Sequence, residues 1–448
     1  MKTTNLLLIV VAGLAGACDF RIANPNTPAA IGNNPSRAEV AAAATGLLIG
    51  SRVDYADWIL DAGIIGREAY RFDPADPRFV TELVQGSLDP GAGAFGGDHW
   101  AEEYQSIRSA NQLLAVLGTA SELTAAEQDA VRGFAQTIKA HDLLIVLDAH
   151  TQDSIPIAVD RPVTEPPAPF VANAAARDYV VALLDSAQTA LQAGGSAFPF
   201  DLGAGFTGFS TPATFLRFNR ALKARAEVYR GSLGCGATCY TAALAALGAS
   251  FVDTTASLNL GAYHTFGTGP GDLANALFQD PASAIQLVHP SLRDSAETKP
   301  GGGLDNRYTA KVASATRTVS SGTTPPLSSD LAFIRYKSPS DQVPIVRNEE
   351  LVLLRAEANN ALGNVAAAAA DINFIRVNSG GLARCGVAPA TCADLATLTQ
   401  AQRLGEILRQ RRYSLVYEGG HRWVDMRRTG RLSQIPGCRG GGPTGPGH

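Results

Sequence analysis

The stretch "ILRQRRYSLVYEGGHRWVDMRRTGRL", from Ile407 to Leu432, constrains the fold of this chain more than any other. Between Arg403 and Arg431 lie eight arginines and three acids but no lysine, interleaved with Tyr413, Tyr417 and Trp423. Leu404, Leu408, Arg411 and Leu415 share one helical stripe, which places Arg411 among apolar neighbours. A guanidinium keeps its charge in proteins, and taking it out of water without a carboxylate costs several kcal/mol. Glu357, Glu418 and Asp425 are the candidate partners, with Glu357 or Glu418 preferred. The segment therefore reads as a piece of core that neutralises itself, and Trp423 as a core anchor beside Arg422.

The charge of the whole chain agrees. Lys+Arg at 37 against Asp+Glu at 41 gives a net charge of −4, without the basic excess of a nucleic-acid-binding domain. With 46% apolar residues the chain can bury a large core.

The N-terminus carries an export signal. Lys2 precedes an apolar run from Leu6 to Ala17 and then Cys18. The run is shorter than the roughly 20 residues a membrane-spanning helix needs, and it has the layout of a signal peptide over residues 1–17. "LAGAC" resembles a bacterial lipobox, in which Cys18 becomes the acylated first residue of the mature chain. Ala15 stands where a large aliphatic residue is usual, and the alternative is ordinary cleavage with an unmodified Cys18. Residues 18–36 are polar and proline-rich, a flexible tether, and residues 433–448 form a Gly/Pro-rich tail expected to be disordered. In an exported chain, Cys235 with Cys239 and Cys385 with Cys392 read as two local disulfides, leaving Cys438 over. No paired CxxC or His-x3-His accompanies them, so a metal is not expected.

Residues 37–432 read as one helical domain. Ser36 with Glu39 and Thr124 with Glu127 form capping boxes ahead of apolar-periodic runs, and runs of strand type are scarce. Trp100, Tyr104, Ile107, Asn111 and Leu114 recur as one stripe of an amphipathic helix. "LKARAEVYRGSLG" and "LLRAEANNALGN" share an Arg-Ala-Glu core followed by glycine, and Asn364 stands ready to cap the helix "VAAAAADINFIRVN". Such pairs are the unit of tetratricopeptide-like repeats, here separated by large insertions.

Three segments in this order resemble the SusD/RagB family of outer-membrane lipoproteins: "WAEEYQSIRSANQLLAVL" with "LDAHTQDSIPIAVD", then "RNEELVLLRAEANNALGNVAAAAADINFIRVNSGG", then "ILRQRRYSLVYEGGHRWVDMRRTG". The resemblance implies an all-α, SusD-like fold with tetratricopeptide-like hairpins and long loop insertions. It also implies a cell-surface, lipid-anchored protein that binds oligosaccharides or other small nutrients. Such a protein delivers them to a TonB-dependent, SusC-like outer-membrane transporter, without catalysis and without a cofactor. Gln410 departs from the family pattern by replacing an acid, and Asp19 departs by following the lipidated cysteine. In some bacteria an aspartate there holds lipoproteins in the inner membrane.

Sugar recognition needs flat aromatic faces with charged or amide groups around them. Tyr55, Trp58, Tyr70, Phe72 and Phe79 fall within 25 residues, among Arg67, Glu68, Arg71, Asp73, Asp76 and Arg78. The proline-broken "GREAYRFDPADPRF" reads as a loop with exposed side chains. Tyr70, Arg71 and Asp73 are the leading ligand candidates, joined by Arg67 and by Trp58, whose helical setting also suits packing. A second polar region, Pro290 to Pro344, offers Tyr308, Tyr336 and Lys337. Two rival functions share the sequence: a helical-repeat scaffold for other proteins and a secreted hydrolase. No Gly-x-Ser-x-Gly, HExxH or GxxxxGK[ST] supports the hydrolase.

Overall fold

The computed structural model describes residues 31–91, 95–150, 153–162, 164–324 and 326–437. The signal peptide, Cys18, most of the tether, Cys438 and the tail beyond it lie outside the described residues.

The capping boxes start helices where the sequence places them. Ser36 and Glu39 close one around α1 (Arg37–Gly50), after which α2 (Tyr55–Ile65) and α3 (Ala101–Val116) follow. Thr124 and Glu127 close another at α4 (Ala125–Ala149). Next come α5 (Asn173–Ala193), α6 (Pro212–Arg230) and α7 (Ala237–Gly248). The C-terminal part contributes α8 (Asn348–Ala361), α9 (Val365–Asn378), α10 (Gln400–Ser414) and α11 (His421–Arg428). Each helix from α3 to α9 packs on the next in sequence, so the body is a stack of helical hairpins with one shared core. Asn364 precedes α9 without capping it; its amide bonds Asn359 instead.

The stack is tight where residues are small. An ideal Cβ on Gly133 in α4 would lie 2.9 Å from the Ala187 carbonyl oxygen of α5 and 2.5 Å from Leu191 Cγ. Only glycine lets the two backbones approach this closely.

Strands gather in the insertions. β1 (Ala69–Arg71), β5 (Gln286–Val288), β7 (Ser328–Phe333) and β6 (Val312–Ser320) form an antiparallel sheet in that order. Tyr70 stands opposite Leu287 in its register. Two short ribbons pair β2 (Ile155–Pro156) with β3 (Phe170–Val171), and β4 (Gly261–His264) with β8 (Val343–Arg347). Residues 290–344 are thus partly sheet rather than bare loop: β6 and β7 form a hairpin that joins β5 and, through it, β1 far back in the sequence. Both expected disulfides are formed, Cys235–Cys239 and Cys385–Cys392. Glu406 approaches the second pair, but its sulfurs are already joined and offer no thiolate to a metal.

None of the eight C-terminal arginines is exposed. Arg411, with 0% of its surface accessible, donates from Nε to Asp425 Oδ2 at 2.7 Å. Asp425 is also bonded by Arg428, which forks onto Glu357. The preference for Glu357 or Glu418 as the partner of Arg411 is corrected: Asp425, one helix on, reaches it, while Glu357 serves Arg428 and Glu418 serves Arg347. Burial would raise the Asp425 carboxyl, but Arg411 and Arg428 outweigh it and hold it at about 2.

Between α10 and α11 the chain turns through "YEGG". Gly420 has φ +69°, and a Cβ there would lie 2.7 Å from Ala62 Cβ and 2.9 Å from Trp58 Cζ2, so the turn presses backbone directly onto α2. Tyr417, just before it, stacks flat on Phe333 of β7 with centroids 3.9 Å apart, tying the turn to the sheet.

Three expectations follow. Arg411→Ala leaves Asp425 and Glu357 to share Arg428 in the core and should cost about 3–5 kcal/mol, read as a marked fall in melting temperature by circular dichroism; a melt like wild type refutes the buried pair. The Asp425 contribution is fully present above the ordinary carboxylate range near pH 4 and is lost as pH falls through about 2. Gly133→Ala should lower the melting temperature although alanine favours helices by about 1 kcal/mol, because the Ala187 backbone must move.

Candidate ligand-binding surface

The region expected to hold the ligand is mostly packed. Tyr70 lies in the sheet at 4% exposure, stacked on Phe72 and tilted against His289. The expected exposed loop is corrected here: Ala69–Arg71 is a largely buried edge strand whose backbone pairs with β5. Trp58 is buried in α2, edge-on to His99, and serves packing. Arg67 adopts φ +57° and donates to the carbonyls of Ile64, Ile65, Leu83 and Val84, which makes it a clamp between two chain segments. Arg71 lies 4.1 Å over the Phe79 ring and pairs with Asp73 at 2.9 Å, both half-buried at the edge of the sheet. Tyr70 also borders a cavity of about 350 Å³ with Arg293, Ser329 and Asp330. Tyr308 and Tyr336 are buried, while Lys337 is exposed.

An open aromatic surface lies elsewhere. Trp100 sits at the N-terminus of α3, half-buried, and Phe170 of β3 stacks near it at 6.0 Å and an interplanar angle of 25°. Tyr104, 4.9 Å from Trp100, and His150, edge-on at 5.2 Å, complete the group. Phe170 is 66% exposed, the most open of the exposed large apolar side chains among the described residues.

Its position is rigid. Tyr104 donates to the Pro156 carbonyl at 2.7 Å, and Arg108, one turn further along α3, donates to the carbonyls of Val159 and Arg161. These bonds pin β2 to the helix, and β2 pairs Pro156 with Phe170. The ring is therefore presented by a supported ribbon rather than by a free loop.

Polar groups flank it. His150 Nε2 is buried with no hydrogen-bond partner among the described residues. Burial lowers the basicity of this ring, opposed by the Asp98 backbone and the Asp153 charge. An aromatic face with carboxylates and an imidazole beside it is suited to a sugar ring, whose C–H face stacks while its hydroxyls bond. In the sequence, Trp100 and Tyr104 read as part of one stripe of an amphipathic helix, and Phe170 is not distinguished. The available signal was an aromatic placed among prolines in "TEPPAPFVAN", where few neighbours can cover it.

Comparison with known proteins fits this architecture. Residues 295–443 match the family model of the SusD family. Among solved structures, B. fragilis NanU superposes with a TM-score of 0.65 at 16% identity, covering 92% of this chain and 94% of that one. A SusD-like carbohydrate binding protein from Bacteroides fragilis NCTC 9343 gives a TM-score of 0.65 at 15% identity, covering 89% of this chain and 87% of that one. A SusD superfamily protein from Bacteroides fragilis gives 0.62 at 17%, covering 88% and 90%. No curated protein matches the chain. The C-terminal third of the chain matches the SusD family model, and the described length has an all-α, SusD-like fold. No described helix is long and apolar enough to cross a membrane.

If Phe170 is placed for a ligand, its loss should hardly touch stability. Phe170→Ala is expected to shift unfolding by no more than about 0.5 kcal/mol, whereas a fully buried ring such as Phe134 should cost about 3–5 kcal/mol. Parallel urea melts of the two variants check this.

Proposed function

We propose that this chain is a nutrient-binding lipoprotein of the outer membrane, anchored through Cys18. In this reading it captures oligosaccharides or similar nutrients at the cell surface and passes them to a TonB-dependent, SusC-like transporter. The observation that carries it is the Trp100–Phe170 surface, an aromatic face held rigid yet left open on a SusD-like body. Binding rather than turnover is favoured because the site's polar groups surround a stacking face and need no reaction to account for them. Among the residues expected from sequence, Arg71 and Asp73 keep a partly open position for a ligand contact apart from this surface, and Trp58, Tyr70 and Arg67 are assigned to packing.

The direct test is calorimetric titration of purified protein with a panel of plant and host oligosaccharides. Phe170→Ala should weaken the sugar that binds by tenfold or more, in line with the energy of one aromatic stacking contact. Unchanged affinity removes the surface from the site. Pull-down from solubilised outer membrane should recover a large β-barrel partner, and a Cys18→Ser variant should leave the membrane fraction.

A further inference from the structure

We infer that a second site, a cationic cleft between β8 and the segment Arg335–Lys337, binds the carboxylate of an acidic sugar. The cleft is about 580 Å³, within the size range of small-ligand sites, and it shares no lining residue with the Trp100–Phe170 surface. Arg307, Lys311, Arg335, Lys337 and Arg347 all line it.

Charge counting shows why this wall is incomplete. Arg307 is matched by Asp305. Lys311, Arg335 and Arg347 share Glu418 and Glu349, three positive charges against two negative. Even with Asp341 assigned to Lys337, one positive charge remains without a counterpart. The inner members have no room to relax. Lys311 is 7% exposed, and burial pushes its ammonium down to about 8 against the pull of Glu418. Burial would raise the Glu418 carboxyl, yet Arg347, Lys311 and Arg335 hold it well below its ordinary value, so it is fully committed.

The surplus is offered to the cavity by Arg335. Its Nε binds Glu418 at 3.0 Å, while its two terminal nitrogens donate to no described residue. The guanidinium is steadied over the Tyr336 ring at 5.0 Å. The Lys337 ammonium has no hydrogen-bond or ion-pair partner among the described residues and stands exposed two residues on. A fixed guanidinium fork next to a mobile ammonium matches a carboxylate, which takes two parallel bonds from the first and a point charge from the second. Half-buried Tyr263, fixed by a hydrogen bond from its hydroxyl to the Asn259 carbonyl, adds an aromatic flank for the ring that carries the carboxylate. An acidic sugar is the ligand that uses both features.

The experiment is calorimetry at low salt on the full mature chain with galacturonic-acid and glucuronic-acid trisaccharides, their neutral counterparts, and an acidic peptide. An acidic trisaccharide should bind at least tenfold more tightly than its neutral counterpart, and 0.5 M NaCl should weaken it. Arg335→Gln and Lys337→Gln should each reduce affinity tenfold or more. Lys337 is exposed, so its variant tests the site even if Arg335→Gln fails to fold. Lys337→Gln should leave the binding of a neutral oligosaccharide at the Phe170 surface unchanged, which separates this inference from the one above. Absence of binding by either acid, equal binding of neutral sugar, tighter binding of the peptide, or indifference to Lys337→Gln overturns it.

Discussion

The ion pair between Arg411 and Asp425 is the contact around which the C-terminal half is assembled. It joins α10 to α11 between two buried side chains, and through Arg428 and Glu357 it reaches α8. Similar inward pairs, Arg376 with Glu297 and Glu406 and Arg225 with Glu350, repeat the device across neighbouring helices. Such pairs add little net stability over apolar packing, but each one penalises a wrong partner strongly, since a displaced helix leaves a bare charge in the core. In a stack of similar hairpins, where sliding by one unit would preserve most apolar contacts, that penalty specifies the arrangement.

The same logic separates the body from its binding faces. Most buried charges of the helical interior are paired, and two features are turned outward instead: the ring of Phe170, left in water, and the terminal nitrogens of Arg335, which donate to no described residue. Each is nonetheless fixed, the first by Tyr104 and Arg108 from α3, the second by Glu418 and Tyr336. Rigid placement of groups that do nothing for the fold is what pre-organised recognition requires.

Helices with local signals were legible in the sequence. Capping boxes at Ser36 and Thr124, the Arg-Ala-Glu helices and the close cysteine pairs all act within a few residues, so spacing alone reveals them. That Arg411 turns inward was also readable, because leucines flank it at helical spacing. Its partner was not: three acids were within reach in sequence, and only tertiary geometry selects Asp425. The strands were obscured for a related reason, since β1 pairs with a segment more than two hundred residues away. The binding surface was least legible. Tyr70 looks like a recognition residue by type and company yet lies buried in the sheet, and the helical stripe of Trp100 and Tyr104 does not tell how open it is; exposure depends on everything else in the fold.

The Phe170 ribbon pairs only two residues with two; Ile155 anchors its inner end in the core, while side chains of α3 hold the end that carries Phe170. A lineage of such proteins can therefore rewrite "PPAPFV" letter by letter, lengthening it or trading its aromatic, without disturbing any inward-facing charge.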